Sequence, residues 1–165
     1  MRLRNLLVVS LAILSLTISV PCFAQMKKED MVVGGLYIGQ HYSEVMDIYG
    51  RPSGIMKETE EPGRVFSFID NGTEFNVHII NDRVAGVEVF GKNALSTKAG
   101  IRIGTTVKKV KKTYGEPDEE RGSGNNCILY YKYDAGDHHI WILTIAATDG
   151  KVSSIELNDS CERID

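Results

Sequence analysis

Gly35-Leu36-Tyr37-Ile38-Gly39 and Gly100-Ile101-Arg102-Ile103-Gly104 stand 65 positions apart, and each opens the same pattern. Val45, Tyr49, Gly50 and Pro52 follow the first; Val110, Tyr114, Gly115 and Pro117 follow the second at the same offset of 65. Seven identities in the eighteen positions from 35 to 52 keep one register, which shared composition alone does not produce. The chain therefore reads as two tandem copies of one unit. Each copy begins with a short helix. In the first, Tyr42, Val45, Met46 and Tyr49 fall on one face, and Gly50 and Pro52 end it. In the second, Thr105 or Thr106 caps the N-terminus, Val107, Val110 and Tyr114 form the stripe, and Gly115 and Pro117 end it. Helices this short hold only when packed on something else.

A β-meander supplies the support. Arg64–Ile69 and Thr73–Ile80 flank Asn71-Gly72, a strong two-residue hairpin signal. That turn sets Phe68 opposite Phe75 and Phe66 opposite Val77. Phe66, Phe68, Phe75, Val77 and Ile79 then face the helix, and Ser67, Glu74, Asn76 and His78 lie on the open face. A third strand, Val84–Phe90, follows the Asn81-Asp82-Arg83 turn. In the second copy either Ala135-Gly136 or Gly136-Asp137 makes the turn, and only the latter keeps the offset of 65. It pairs Tyr133 with Ile140 and Tyr131 with Ile142, turning both isoleucines toward the helices. Lys132, His139, Trp141 and Leu143 then fall on the open face, with Tyr130 beside them. The third strand, Val152–Leu157, follows a turn within Ala146–Gly150. The expected fold class is α+β: two tandem repeats, each a short helical segment packed on a three-stranded antiparallel β-meander. Residues 1–24 read as a signal peptide, 25–34 as an N-terminal segment, 35–90 as the first repeat, 91–99 as a linker, 100–157 as the second repeat, and 158–165 as a polar C-terminal tail.

The run Ile-Gly-x-x-x-x-x-Val-x-x-x-Tyr-Gly-x-Pro before a three-stranded meander resembles the helix-plus-meander repeat of outer-membrane assembly lipoproteins of the SmpA/OmlA (BamE)-like family. Two such units in tandem resemble the β-lactamase inhibitory protein-like fold. The likeness covers residues 35–90 and 100–157, and its motif residues (Gly39, Gly104, Gly50 to Pro52 and Gly115 to Pro117) enter and leave helices. The resemblance implies a protein-docking role: a concave sheet surface that grips an enzyme in the inhibitor, a single docking unit in the lipoproteins. Fold analogy does not itself confer function.

The opening 24 residues carry the grammar of export. Arg2 and Arg4 precede an uncharged run from Leu6 to Val20, and Cys22-Phe23-Ala24 places small residues for cleavage between Ala24 and Gln25. Pro21 immediately before Cys22 does not fit a lipobox. Without Arg2 and Arg4 the chain has 17 basic and 22 acidic residues, a net charge of −5. Such a chain lacks the basic face that nucleic-acid binding requires, and a run of about 15 apolar residues falls short of the roughly 20 a spanning helix needs. The expected location is periplasmic or extracellular, without stable membrane insertion after cleavage. Cys127 and Cys161 would remain there as a candidate disulfide. The meander sets them at opposite ends: four tail residues reach about 14 Å, against a strand of roughly 20 Å. Pairing requires the tail to fold back or the third strand to end early.

Chemistry-bearing clusters each have a plainer explanation. His138 and His139 are adjacent on a strand and point to opposite faces, His41 and His78 lie in the other copy, and no spaced Cys/His pairs suit zinc. Glu58, Glu60 and Glu61, and Asp118, Glu119 and Glu120, follow the two helices as solvated loops. Lys108, Lys109, Lys111 and Lys112 form the wet side of an amphipathic helix. No nucleophile elbow or phosphate-cradling loop appears, so no catalytic, metal or cofactor residue is assigned. Tyr130, Lys132, His139 and Trp141 form the candidate protein-interaction set, because aromatic residues with a polar handle anchor interfaces; the competing reading buries Trp141 in the core. The expected function is an exported, non-enzymatic protein-binding module, inhibitor-like or envelope-assembly-like, with another exported or envelope protein as partner. The alternative is an exported small-ligand or metal-binding protein.

Overall fold

The computed structural model describes residues 26–57, 63–70, 73–91 and 95–161. The leader with its Ala24–Gln25 junction, the Asn71-Gly72 turn, and Glu58, Glu60 and Glu61 therefore lie outside the described residues. A 3-10 turn (Lys28–Asp30) leads to helix α1 (Tyr42–Tyr49) and strands β1 (Gly54–Lys57), β2 (Gly63–Asp70), β3 (Thr73–Ile80) and β4 (Arg83–Phe90). Helix α2 (Val107–Tyr114) then precedes β5 (Glu119–Ser123), β6 (Asn126–Gly136), β7 (His139–Thr148) and β8 (Lys151–Cys161). The strands form one antiparallel sheet in the order β1-β2-β3-β4-β8-β7-β6-β5.

This corrects the expected fold class. The molecule is not a pair of helix-plus-three-strand units but a single eight-stranded sheet. Two signals were missed. The first is the strand that follows each helix, β1 and β5. Both are short sheet edges, and β5 carries Glu119, Glu120 and Arg121 where an alternating apolar pattern would have marked a strand. Charge on an edge strand discourages pairing with other chains and hides it from a periodicity search. The second is the join. β4 and β8 pair from Gly86 opposite Asn158 to Phe90 opposite Ser154, so residues 158–161, expected in a polar tail, extend β8 instead.

Joining the two edges gives one continuous covered face. Across its middle run Val77, Val87, Leu157, Leu143 and Tyr131, each opposite the next and none more than 1% exposed. Burial at about 1.5–3 kcal/mol per large apolar side chain makes this row a strong reason for the strands to share one sheet. Both helices pack on that face. Tyr49 meets Phe75 at 4.7 Å between ring centroids, Tyr114 meets Tyr131 at 5.3 Å, and Val45 and Val110 are fully buried. The helix starts are capped: His41 Nδ1 accepts from Ser43 N–H and Thr106 Oγ1 from Lys109 N–H, both at 3.3 Å. The N-terminal segment closes the core with Met31, Val33 and Leu36. The Tyr49 hydroxyl donates to the Gly34 carbonyl, and the Tyr114 hydroxyl to Thr97 Oγ1 at 2.5 Å. Gly34 is needed there: at φ +59 a β-carbon would lie 2.7 Å from the Tyr49 oxygen. Burial pushes the Tyr49, Tyr114 and Tyr131 phenols above their ordinary range, keeping them neutral.

The first hairpin keeps its expected register, Phe68 opposite Phe75 and Phe66 opposite Val77. The second does not. Its turn is Asp137-His138, with φ of 51° and 65°, as a type I′ turn requires of both central residues. A bulge between Asp134 and Gly136 takes up the extra residue. Tyr133 therefore stands opposite Trp141, and Tyr131 opposite Leu143. A one-residue slip exchanges the faces of a whole strand, so Ile140 and Ile142 belong to the open face rather than the core. Asn81-Asp82 makes a two-residue turn in the same way, with φ of 50° and 61°, and Arg83 begins β4.

Candidate functional site

The open face of the sheet is built by cross-strand register. Its middle row runs Ser67, Asn76, Glu88, Glu156, Thr144, Tyr130 and Glu119, each directly opposite the next. The Ser67 hydroxyl donates to Asn76 Oδ1 at 2.9 Å, and Asn76 Nδ2 donates to Glu88 Oε2 at 3.2 Å. On the other side of the seam Asn158 Nδ2 donates to Glu156 Oε1 at 3.1 Å. Glu88 and Glu156 thus face one another across the two central strands, and among the described residues neither has an ion-pair partner. Like charges directly opposite in a sheet destabilise it. The cations that β5 and β6 contribute to this face are engaged elsewhere. Arg121 Nε lies 2.7 Å and Lys132 Nζ 4.0 Å from Glu119, and the Arg121 guanidinium sits 5.1 Å from the Tyr130 ring centre.

Next to this row runs a second: Val65, His78, Gly86, Asn158, Ile142 and Lys132. Gly86 leaves a gap in it, and a cleft of about 200 Å³ opens there between His78, Ile80, Glu156 and Asn158. Over β6 and β7 the face turns apolar, with Ile128, Tyr130, Ile140, Ile142 and Ala146 all half-buried. The open face therefore has three zones: mixed over β2 and β3, where Ser67, Asn76 and His78 stand among Val65, Ile69 and Ile80, acidic at the seam, apolar and aromatic over β6 and β7.

The four side chains of the candidate interaction set divide between the two faces. Tyr130 and Lys132 stand on the open face. Trp141 is on the covered face, half-buried against the core, 5.7 Å from the Tyr133 ring and 5.3 Å from Lys28 Nζ. His139 lies on that side too, with Nδ1 2.9 Å from Asp159 Oδ2, and Leu143 is fully buried. The isoleucines on the second half of the open face are Ile128, Ile140 and Ile142. Counting back from the Asp137-His138 turn would have found them.

Other sequence-level candidates settle as follows. Cys127 is a buried free thiol, held protonated by desolvation, which makes it a poor nucleophile. Its backbone is opposite Ala147 at one end of β7, whereas that of Cys161 is opposite His139 at the other; the Cys161 side chain lies outside the described residues. Lys111 bridges Glu120 at 2.7 Å and Glu116 at 3.1 Å, which joins the lysine-rich helix face to the acidic segment after it. The hydrogen bond from Lys111 to Glu120, before any other cause, raises the lysine pKa. Among the described residues no group of three or more His, Cys, Asp and Glu side chains could hold a metal, and no helix is long and apolar enough to cross a membrane.

No protein-family model matches the chain, and no curated protein matches it with significance. Solved structures are similar to it in fold. A cysteine-rich secretory protein from Staphylococcus aureus subsp. aureus Mu50 superposes with a TM-score of 0.56 at 12% identity, over 82% of this chain and 48% of that one. An extracellular protein containing a SCP domain from Bacillus anthracis str. Ames gives 0.54 at 13% identity, over 74% and 44%. This chain spans about half the length of those two proteins. A candidate β-lactamase inhibitor protein from Streptococcus mutans gives 0.34 at 13% identity, over 77% and 85%.

Proposed function

We propose that this chain is an exported, non-enzymatic protein-binding module that receives its partner on the open face of the eight-stranded sheet. The observation that carries the reading is the composition of that face at the seam. Two facing carboxylates, with no ion-pair partner among the described residues, adjoin an apolar and aromatic field containing Tyr130 and Ile142. A carboxylate pair that opposes the fold, beside half-exposed apolar side chains, suits a partner surface that brings both positive charge and apolar area. The seam cleft, about 200 Å³, is smaller than the roughly 300–1,000 Å³ of sites that enclose small molecules, which favours a macromolecule. Export follows from the leader grammar of residues 1–24, and two structural neighbours with TM-scores above 0.5 are described as secretory and extracellular proteins. The partner is accordingly another exported or envelope protein.

Site-specific photocrosslinking in the producing cell tests this. A photoactivatable residue at Ile128 or Ile142 should give a discrete protein adduct, and one at Lys108 on α2 or Ile48 on α1 should give none. Adducts from the helix positions and none from the sheet would place the binding surface on the wrong side of the molecule.

A further inference from the structure

We propose that the gap at Gly86 is a receptor for an arginine side chain presented by the protein partner, an inference that rests on the open-face reading above. Gly86 is not in the left-handed region, so its backbone conformation does not require glycine. A β-carbon there would lie 3.3 Å from the Leu157 carbonyl oxygen and 3.6 Å from His78, a fit that small adjustments would allow. The absent side chain instead leaves the cleft open in the middle of an otherwise filled row.

Carboxylates outnumber cations around the cleft, where Glu156 and Asp159 stand with His78. Glu156 lines it, and Glu88 stands directly opposite Glu156 in the adjacent row. Asn158 commits its amide N–H to Glu156, while its Oδ1 is buried and receives no hydrogen bond from the described residues. A buried acceptor without a donor is unfavourable, so the cleft offers the Glu156 carboxylate and the Asn158 amide oxygen, beside the His78 imidazole, to an incoming cationic donor. A guanidinium supplies what is missing, with five N–H groups in a planar fork that pairs side-on with carboxylates. An ammonium offers a point charge without that fork. The size also suits one long side chain rather than a whole ligand. Neighbouring Ile142 and Tyr130 then cover the apolar surroundings of the partner's arginine.

The test is a titration of the ¹⁵N-labelled protein with N-acetyl-arginine N-methylamide, followed by amide chemical shifts. Saturable shifts should centre on His78, Gly86, Glu156 and Asn158. The lysine analogue should bind more weakly, and the neutral citrulline analogue should leave these amides unmoved. Glu156→Gln should weaken arginine binding about tenfold, the loss of one charged hydrogen bond. This variant keeps the side-chain shape and relieves a repulsion, so it should stay folded, and Glu88→Gln gives an independent second variant. Equal shifts from citrulline or lysine, or arginine affinity unchanged in both variants, would overturn the receptor. If that happens while Ile128 and Ile142 still crosslink, the open-face reading stands and only the arginine assignment fails. Arginine binding at the seam without crosslinking would reject the partner surface and keep the cation site.

Discussion

Phe75→Ala is expected to destabilise the protein by about 3–5 kcal/mol, the range for removing a buried aromatic side chain. Phe75 is 2% exposed, stacks on Phe68 at 4.8 Å with planes 6° apart, and meets Tyr49 at 4.7 Å. Truncation would open a void between β3, β2 and α1, and close packing lets such a void collapse only in part. Chemical denaturation should show a lower midpoint with an unchanged slope, the signature of lost stability without a change in the denatured state. A loss under about 1 kcal/mol would mean that Phe75 is not in the core.

Trp141→Ala comes second, at about 3 kcal/mol, the low end of the range because the side chain is only half-buried. The tryptophan packs on Tyr133 and on the core from the covered face, and Lys28 of the N-terminal segment lies over its ring. Its truncation should therefore lower the denaturation midpoint and loosen that segment, leaving the seam carboxylates in place. A negligible stability change would indicate that β7 has the other register, with Trp141 on the open face.

These two residues also show how far the sequence can be read. Phe75 could be placed because Asn71-Gly72 allows one tight turn, and alternating apolar residues on both sides fix which face is covered. Trp141 could not be placed, because Ala135 to His138 offers several two-residue turns and a single bulge decides among them. Residues Asp137 and His138 both adopt positive φ, a conformation that Asp, Asn and His tolerate better than most residues. The edge strands β1 and β5 were illegible for a different reason, since strands at an edge need neither apolar alternation nor length. The seam was indirectly legible. Val84–Phe90 and Val152–Leu157 each end a meander with an open edge, and pairing those edges sets Glu88 against Glu156. Neither glutamate is unusual alone; their apposition exists only in the assembled sheet.

The central claim is that this apposition serves a partner and not the fold. The melting temperature of the Glu88→Gln/Glu156→Gln protein at low ionic strength tests it most directly. Glutamine keeps an acceptor for Asn76 and for Asn158 while removing the repulsion. The account predicts a rise of about 0.5–4 °C, from a cross-strand term of about 0.2–1 kcal/mol in a chain of this size. A fall in melting temperature would show that the two carboxylates hold the sheet together, and the case for a partner at the seam would fail.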